Sequence, residues 1–460
     1  MQYAALLDFG STYTKVACVD LAARQVVMTD RFPSTVHIDA RIGLRQCLEA
    51  VESVIGKKAA SKALRVASSS AAGGLRMAVV GLTRSLSISA GRNAAFGAGA
   101  KIMANFFGRL TAEDASALEK SNSEIVLLCG GYEKGNQDIV LHNAEVLSSC
   151  AASIPVIYAG NSDVGPVVRE MFRQSGKECF LAENIIPAVG KMNTGPAEEI
   201  IRHVFMKRIV NMNGMGGVQD ELGELLVPTP AAVLTAGELL STGTERDEGV
   251  GPMMLVDVGG ATTDVYSFEA NRSYQYARLT GAPEPYAKRT VEGDMGMRES
   301  SICILQEVGA EILAKEAQVS KEALEAAVQK RLTDTSILAD SDAEWRMDQA
   351  LCREAISISV RRHAGRTERI YSKGAREIQR GKNLAEVETI IGTGGILVNG
   401  ENSRELLQAA ALADGEDERI LIPRKLQTLV DHDYIFYAAG LLRAHDEDAA
   451  LAIMKASIRV

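Results

Sequence analysis

The chain has 460 residues, enough for about three domains of ~150 residues or for two large lobes with insertions. Hydrophobic residues make up 46% and charged residues 24%, which excludes a disordered or low-complexity chain. The formal net charge of -9 argues against nucleic-acid binding, because proteins that neutralise phosphates concentrate Lys and Arg on one face.

The residue pattern argues against two further classes of protein. The seven cysteines include no C-x-x-C pair, so neither a disulfide framework nor a zinc site is expected. No stretch reaches about 18 uninterrupted apolar residues, and the first residues enter a strand-like segment without a signal-peptide pattern. We therefore expect a cytoplasmic protein without a membrane segment.

The first half of the chain shows two different patterns of apolar residues. Short strands separated by turn residues at 3–10, 14–20 and 25–32 predict an antiparallel meander. Apolar residues at helical spacing in 43–57 predict an amphipathic helix that covers one face of that sheet. From 124 to 187, apolar runs alternate with helical ones, which is typical of a parallel sheet.

The second half is predicted to be mainly helical. The stretch 206–217 lacks clear periodicity and is predicted to hold a loop, whereas 229–240 is predicted to be a helix. Helical patterns dominate past residue 300, and a new apolar strand begins within 387–398. The last strong segment, 433–444, is again helical.

One motif occurs twice in the chain. "LLDFGSTYTK" (6–15) and "LVDVGGATTDVYSF" (255–268) share the pattern D-x-G-x-x-x-T-x-V. At a constant offset of 249 residues, Asp8 aligns with Asp257, Gly10 with Gly259, Thr14 with Thr263 and Val16 with Val265. Each copy is predicted to be strand, turn and strand, followed by a third strand at 25–32 in the first copy and 274–281 in the second.

A duplicated hairpin of this kind suits phosphate binding between two lobes. Each turn presents backbone N–H groups and hydroxyls, and glycine lets the backbone approach an anion closely. Asp8 and Asp257 at the strand ends can hold the waters of a magnesium ion. Lys15 adds a mobile positive charge for the outer phosphates, and Asp264 occupies the equivalent place in the second copy.

A third glycine motif, "TIIGTGGILVNG" at 389–400, completes the set. Its glycines allow a purine and ribose to lie against the backbone. A single D-x-G turn is usually an ordinary hairpin, and G-T-G-G alone is weak evidence. The three motifs in this order are far more specific and favour a nucleotide site.

These motifs resemble those of the actin, Hsp70 and sugar-kinase superfamily, whose members close two ribonuclease H-like lobes on Mg-ATP. The resemblance implies an α/β fold with two such lobes around a nucleotide cleft and family-specific insertions. It implies lobe I at 1–240, with the C-terminal helix within 431–460 returning to it, and lobe II at 241–430. Within the superfamily the chain resembles, over nearly its whole length, the accessory proteins of adenosylcobalamin-dependent glutamate mutase, the MutL or GlmL family, including "RTVEGDMGMR" and "VRRHAG".

The resemblance implies that ATP or ADP binds with Mg²⁺. It assigns catalytic roles to Asp8, Lys15, Asp257 and Thr263, and magnesium binding to Asp8 and Asp257. The residues that it assigns to nucleotide binding are Gly10, Ser11, Thr12 and Thr14 in the first motif, Gly259, Gly260 and Thr262 in the second, and Gly392, Gly394 and Gly395 in the third.

The general base stays unassigned. Val227 stands where a catalytic Glu might precede the helix before the second motif. Glu183, at the end of a predicted strand, is another candidate, although a solvated strand-end carboxylate is the simpler interpretation.

The function implied by the resemblance is that of an ATP-dependent reactivating factor. Such a factor helps a coenzyme B12 aminomutase release damaged cobalamin and accept fresh cofactor; its partners are the subunits of that mutase. Glutamate mutase and ornithine aminomutase both stay open as the partner. The alternatives are a small-molecule kinase on the same scaffold and a nucleotide-dependent filament or scaffold protein.

Overall fold

The computed structural model describes most of the chain. The described residues are 2–10, 12–70, 75–151, 154–210, 214–222, 226–371 and 375–458. Among them, no helix combines the length and the apolar character that a membrane crossing needs.

The strands and helices in the described residues follow in chain order. The strands are β1 (Tyr3–Phe9), β2 (Tyr13–Asp20), β3 (Gln25–Pro33), β4 (Leu64–Ser69), β5 (Arg76–Gly81), β6 (Lys101–Phe107), β7 (Ile125–Gly130), β8 (Val156–Gly160), β9 (Cys179–Leu181), β10 (Val227–Pro228), β11 (Met253–Val258), β12 (Thr263–Phe268), β13 (Arg278–Thr280), β14 (Ala287–Glu292), β15 (Arg366–Tyr371), β16 (Ala375–Arg380), β17 (Thr389–Thr393) and β18 (Gln427–Val430). The helices are α1 (Ala40–Ile55), α2 (Lys57–Ala60), α3 (Ser89–Gly97), α4 (Ala112–Lys120), α5 (Asp138–Ser149), α6 (Gly165–Gln174), α7 (Gly195–Val210), α8 (Met215–Leu222), α9 (Thr229–Thr242), α10 (Ser301–Val308), α11 (Ala310–Glu316), α12 (Lys321–Thr333), α13 (Asp342–His363), α14 (Gly395–Asn399), α15 (Ser403–Leu407), α16 (Phe436–Leu442) and α17 (Glu447–Ser457).

Two five-stranded sheets share one topology. The first has the order β3-β2-β1-β4-β10 and the second the order β14-β12-β11-β17-β18. In each, three antiparallel strands form a meander, and two strands parallel to the first strand lie on its other side. This is the strand order of a ribonuclease H-like lobe, so the predicted fold class is confirmed and the sequence repeat is a structural repeat.

A third sheet is inserted into the first lobe between β4 and β10. Its five strands are all parallel and have the order β6-β5-β7-β8-β9. The parallel sheet predicted within 124–187 is therefore confirmed, and β5 and β6 extend it toward the N-terminus. A small sheet, β13-β16-β15, is inserted into the second lobe.

The cores follow from the period-two alternation of the strands. On β1, Leu7 and Phe9 face a core shared with the inserted sheet and α1, whereas Leu6 faces the opposite side. That opposite core also contains Leu255 of β11 and is filled by α9, α16 and α17. The helices between the two repeated sheets therefore join them through one continuous apolar core.

Small residues let α9 and α16 approach closely. A Cβ at Gly440 of α16 would lie 1.9 Å from the carbonyl oxygen of Ala232 on α9. A Cβ at Gly237, also on α9, would lie 2.2 Å from the ring of Phe268 on β12. Glycine at these two positions therefore brings α9 against both a partner helix and the second sheet.

Residues 211–213, where the loop predicted within 206–217 would fall, lie outside the described residues. On either side of them, Met206 on α7 and Met215 on α8 are buried in the core beside the first sheet. One local prediction was wrong. The third strand of the second copy is β14, and 274–281 instead contributes β13 to the small sheet. The pattern of β14 was obscured because Lys288 and Arg289 are buried charges in ion pairs.

Candidate functional site

The turns of the two repeated hairpins have the same backbone geometry. In the first hairpin, β1–β2, the N–H of Gly10 donates to the carbonyl of Tyr13 at 2.9 Å. In the second hairpin, β11–β12, Gly259 donates to Thr262 at 2.9 Å. A Cβ would lie 2.9 Å from the acceptor oxygen at Gly10 and 3.0 Å at Gly259, so both turns favour glycine.

The first hairpin carries a buried carboxylate beside an ammonium group. Asp8 pairs with Lys15 across the strands, and Lys15 Nζ lies 3.1 Å from Asp8 Oδ2. The other oxygen, Oδ1, accepts from Ser68 Oγ at 3.0 Å and from Thr229 Oγ1 at 2.5 Å. Asp8 is only 1% exposed, so these donors from β4 and α9 stabilise its charge.

The second hairpin carries two carboxylates at the equivalent positions. Asp257 pairs with Asp264 across β11 and β12. Asp264 accepts from Arg289 Nε at 2.8 Å and from Thr262 Oγ1 at 3.0 Å. Arg289 therefore neutralises Asp264, and the half-buried Asp257 lies beside this ion pair.

Electrostatic interactions connect the two hairpin tips. Burial, together with the carboxylates of Asp264, Asp8 and Asp431 and against the opposing charge of Lys15, raises the pKa of Asp257 to about 7. Charges of both hairpins thus act on one carboxyl group. The two hairpin tips therefore lie close enough for their charges to interact.

The raised pKa predicts how stability depends on pH. Asp257 in the fold holds a proton up to about pH 7, whereas an unfolded Asp loses it near pH ~3.9. The contribution of this group to stability is therefore complete below pH ~3.9 and is lost as the pH rises to about 7. We expect Asp257→Asn to raise the free energy of unfolding by on the order of 2 kcal/mol at pH 8, and by little near pH ~4.

Urea unfolding of the wild-type chain and of Asp257→Asn, without Mg²⁺ and at several pH values, measures the difference in their free energies of unfolding. An equal difference at all pH values would contradict the assignment of the titrating group.

Thr14 and Thr263 are not brought to the facing tips. Because neighbours on a strand alternate in direction, both lie on the opposite face from Asp8 and Asp257. Thr14 is buried against Gly43 of α1, and Thr263 Oγ1 donates to the carbonyl of Met295 at 2.6 Å. Their placement favours anchoring of the hairpins over phosphate contact or catalysis.

The third motif reaches the second hairpin through one of its glycines. Gly394 has φ +96°, and a Cβ there would lie 2.4 Å from the carbonyl of Val258 and 2.8 Å from Asp257 Oδ1. Gly392 lies instead in the core, against Leu397 and Leu407.

Three of the other residues predicted to bind the nucleotide are exposed, and a fourth is not described. Gly395 is exposed at the start of α14, and Gly260 is exposed, with its carbonyl accepting from the backbone N–H of Arg298. Thr12 is exposed in the first turn, and Ser11 lies outside the described residues.

The candidate general base Glu183 is exposed beyond the end of β9 and accepts from Asn193 Nδ2 at 2.9 Å. At the position of Val227 the chain forms β10, and the hydroxyl group nearest Asp8 from this region is that of Thr229. Glu183 therefore fits the solvated strand-end carboxylate that was its simpler interpretation.

The residues at the tips fit a hydrated magnesium ion. Among the described residues, no group of three or more His, Cys, Asp or Glu side chains could form a metal cage. Mg²⁺ commonly keeps several waters and uses one or two carboxylates beside phosphate oxygens. Asp257 could hold such an ion, and Asp8, whose two oxygens already accept hydrogen bonds, would act through water.

Two cavities lie elsewhere in the described part of the chain. One, of about 230 Å³, lies between α3, α7, α9 and β14 and is lined by Glu198, Arg202, Glu238 and Arg289, among others. The second, of about 530 Å³, lies near β18 and the small sheet, beside Glu388. Neither is lined by Asp8, Lys15 or Asp257, so the site rests on the geometry of the hairpins.

Solved structures with similar chain courses include two bacterial proteins. The ethanolamine utilization protein EutJ from Carboxydothermus hydrogenoformans is 9% identical, with a TM-score of 0.29 over 98% of this chain and 90% of that one. The acetate kinase of Porphyromonas gingivalis is 9% identical, with a TM-score of 0.30 over 96% and 99% of the two chains. These superpositions are weak, and the fold assignment rests on the strand order.

Sequence comparison gives a much stronger match. The protein MutL of Clostridium tetanomorphum is 37% identical over 452 residues, which is 98% of each chain. The family model described as MutL protein matches residues 4–458. The chain therefore belongs to the MutL protein family.

Proposed function

We propose that the chain is an ATP-dependent reactivating factor for an adenosylcobalamin-dependent aminomutase of the glutamate mutase type. It would promote the exchange of damaged cobalamin for fresh cofactor. The family match over residues 4–458 supports the choice of partner. The observation that carries the ATP dependence is the pair of equivalent hairpin turns, with the charges of Asp8 and Lys15 in the first acting on Asp257 in the second.

The nucleotide would lie between the two turns. In this proposal Lys15 binds the outer phosphates, the N–H groups of both turns approach them, and Asp8 and Asp257 hold the waters of Mg²⁺. Gly394, which touches the end of β11, lets the adenosine side lie against the backbone. Magnesium supplies charge neutralisation of the phosphates when bound.

We propose the lobe boundaries predicted from sequence, with 1–240 and 431–460 in lobe I and 241–430 in lobe II. The packing of α16 against α9 and β1 supports the return of the C-terminus to the first lobe. ATP binding would change the relative position of the lobes and thereby the affinity for the mutase. This effect cannot exceed the difference in mutase affinity between the two states.

Reactivation of a mutase tests the proposal. Inactivated glutamate mutase is mixed with this chain, ATP, Mg²⁺ and fresh adenosylcobalamin, and the recovered mutase activity is measured. We expect recovery with the wild-type chain and ATP, and none without nucleotide or with Asp257→Asn. Recovery that is indifferent to ATP would contradict the ATP dependence, and no recovery with any candidate aminomutase would contradict the function.

The same preparation separates the alternatives. ATP turnover stimulated by a metabolite and not by a mutase would indicate a small-molecule kinase. Sedimentation of ATP-dependent polymers would indicate a filament or scaffold protein.

A further inference from the structure

The ammonium group of Lys15 lies near two tyrosine rings from the C-terminal segment. Its Nζ is 4.0 Å from the centre of the Tyr434 ring and 5.4 Å from that of Tyr437. Tyr437 is buried, whereas Tyr434 is partly exposed. An ammonium group at this distance from a ring face is attracted by the ring quadrupole.

The backbone holds Tyr434 in an unusual conformation. Its φ is +54°, a region that bulky side chains rarely adopt. Such a conformation persists when the surroundings fix it, and it is frequent at ligand sites.

A buried carboxylate fixes the turn that carries the ring. The N–H of Tyr434 donates to the carbonyl of Asp431 at 3.1 Å. The Asp431 side chain accepts from Thr393 Oγ1 at 3.0 Å, from Ser457 Oγ at 2.7 Å and from the N–H of Ile435 at 3.1 Å. The end of β17, the last turn of α17 and the segment before α16 thus meet at Asp431.

An ion pair also holds the Lys15 ammonium at this place. Its Nζ lies 3.1 Å from Asp8 Oδ2. Asp8 also accepts hydrogen bonds from Ser68 and Thr229, so its carboxylate keeps two partners if Lys15 moves away.

We propose that Tyr434 is a positioning residue that holds the Lys15 ammonium between the hairpins for the outer phosphates of a nucleoside di- or triphosphate. This inference rests on the proposed nucleotide site. Since attraction to a ring face needs no single hydrogen-bond direction, the ammonium keeps this contact while it moves from Asp8 to a phosphate. Tyr434 thereby favours nucleotides with outer phosphates over monophosphates.

Three substitutions distinguish the effect of losing the ring from an effect on the backbone turn. Tyr434→Phe keeps the ring face, Tyr434→Leu removes it, and Tyr434→Gly removes it while suiting the positive φ. Tyr276→Leu is the matched control, because Tyr276 also has a positive φ, +65°, but is fully exposed.

Calorimetric titration of the full chain with Mg-ATP, Mg-ADP and AMP is the test. We expect Tyr434→Leu and Tyr434→Gly to weaken ATP and ADP binding about tenfold and to leave AMP binding within about twofold. Tyr434→Phe should stay within about threefold, and Tyr276→Leu should match the wild type.

Two results would overturn this inference and leave the proposed function standing. One is wild-type ADP affinity in folded Tyr434→Leu or Tyr434→Gly, and the other is an equal loss for AMP and ADP. If the wild-type chain binds none of the three nucleotides, the proposed function fails together with this inference. If Tyr434→Leu does not fold, the result for Tyr434→Gly decides.

Discussion

Asp257→Asn is expected to lower the affinity of the chain for Mg-ATP on the order of 100-fold, because a charged partner of the hydrated metal is lost. The substitution keeps the size of the side chain and removes a carboxylate whose charge is disfavoured by burial and by Asp264. The folded chain should therefore be intact while binding is lost. Calorimetry with Mg-ATP measures the affinity, and unfolding curves establish the fold.

The matched control is Glu183→Gln. It removes a carboxylate that is exposed and accepts a hydrogen bond from Asn193. Unchanged Mg-ATP affinity is expected for this control. Equal affinities in wild type and folded Asp257→Asn would remove Asp257 from the site.

Arg289→Met is expected to destabilise the chain by about 3–5 kcal/mol, because it leaves a buried carboxylate without its cation. Arg289 is 4% exposed and binds Asp264. It also donates to the carbonyls of Phe96 and Ala100, at 3.0 and 3.5 Å, at the end of α3. The residue therefore ties the second hairpin to the inserted sheet, and both attachments are lost together.

Urea unfolding measures the effect of Arg289→Met. Arg173→Met is the control, since Arg173 and Glu170 form an exposed ion pair of the kind that contributes little. The double variant Asp264→Asn, Arg289→Met should recover part of the loss, because it no longer buries an unpaired charge. A loss for Arg289→Met as small as that of the control would contradict the account of Asp264.

The repeated hairpins could be predicted from sequence because their signals are local. A strand that ends in D-x-G fixes where the polar groups lie, and a constant offset of 249 residues relates the two copies. The placement of Thr14 and Thr263 could also have been predicted, since strand alternation sets them on the face opposite Asp8 and Asp257. They were assigned to the nucleotide site because they match the motifs, without regard to this alternation.

The partners of the hairpins could not be predicted in this way. Ser68 and Thr229 bind Asp8 from 60 and 221 residues away along the chain, and only tertiary packing brings them together. Tyr434 gave no signal, because nothing in its local sequence marks a positive φ or a contact with Lys15. The strand β14 was missed because its buried Arg289 is stabilised by a distant carboxylate, which hydrophobic patterns do not record.

A crystal structure of the chain with Mg²⁺ and a non-hydrolysable ATP analogue would show where the nucleotide binds. We expect the triphosphate between the turns at Gly10 and Gly259, with Lys15 near its outer phosphates and the metal's waters near Asp8 and Asp257. A nucleotide bound elsewhere, for example in the cavity of about 230 Å³ beside α7 and β14, with the two turns empty, would contradict this expectation.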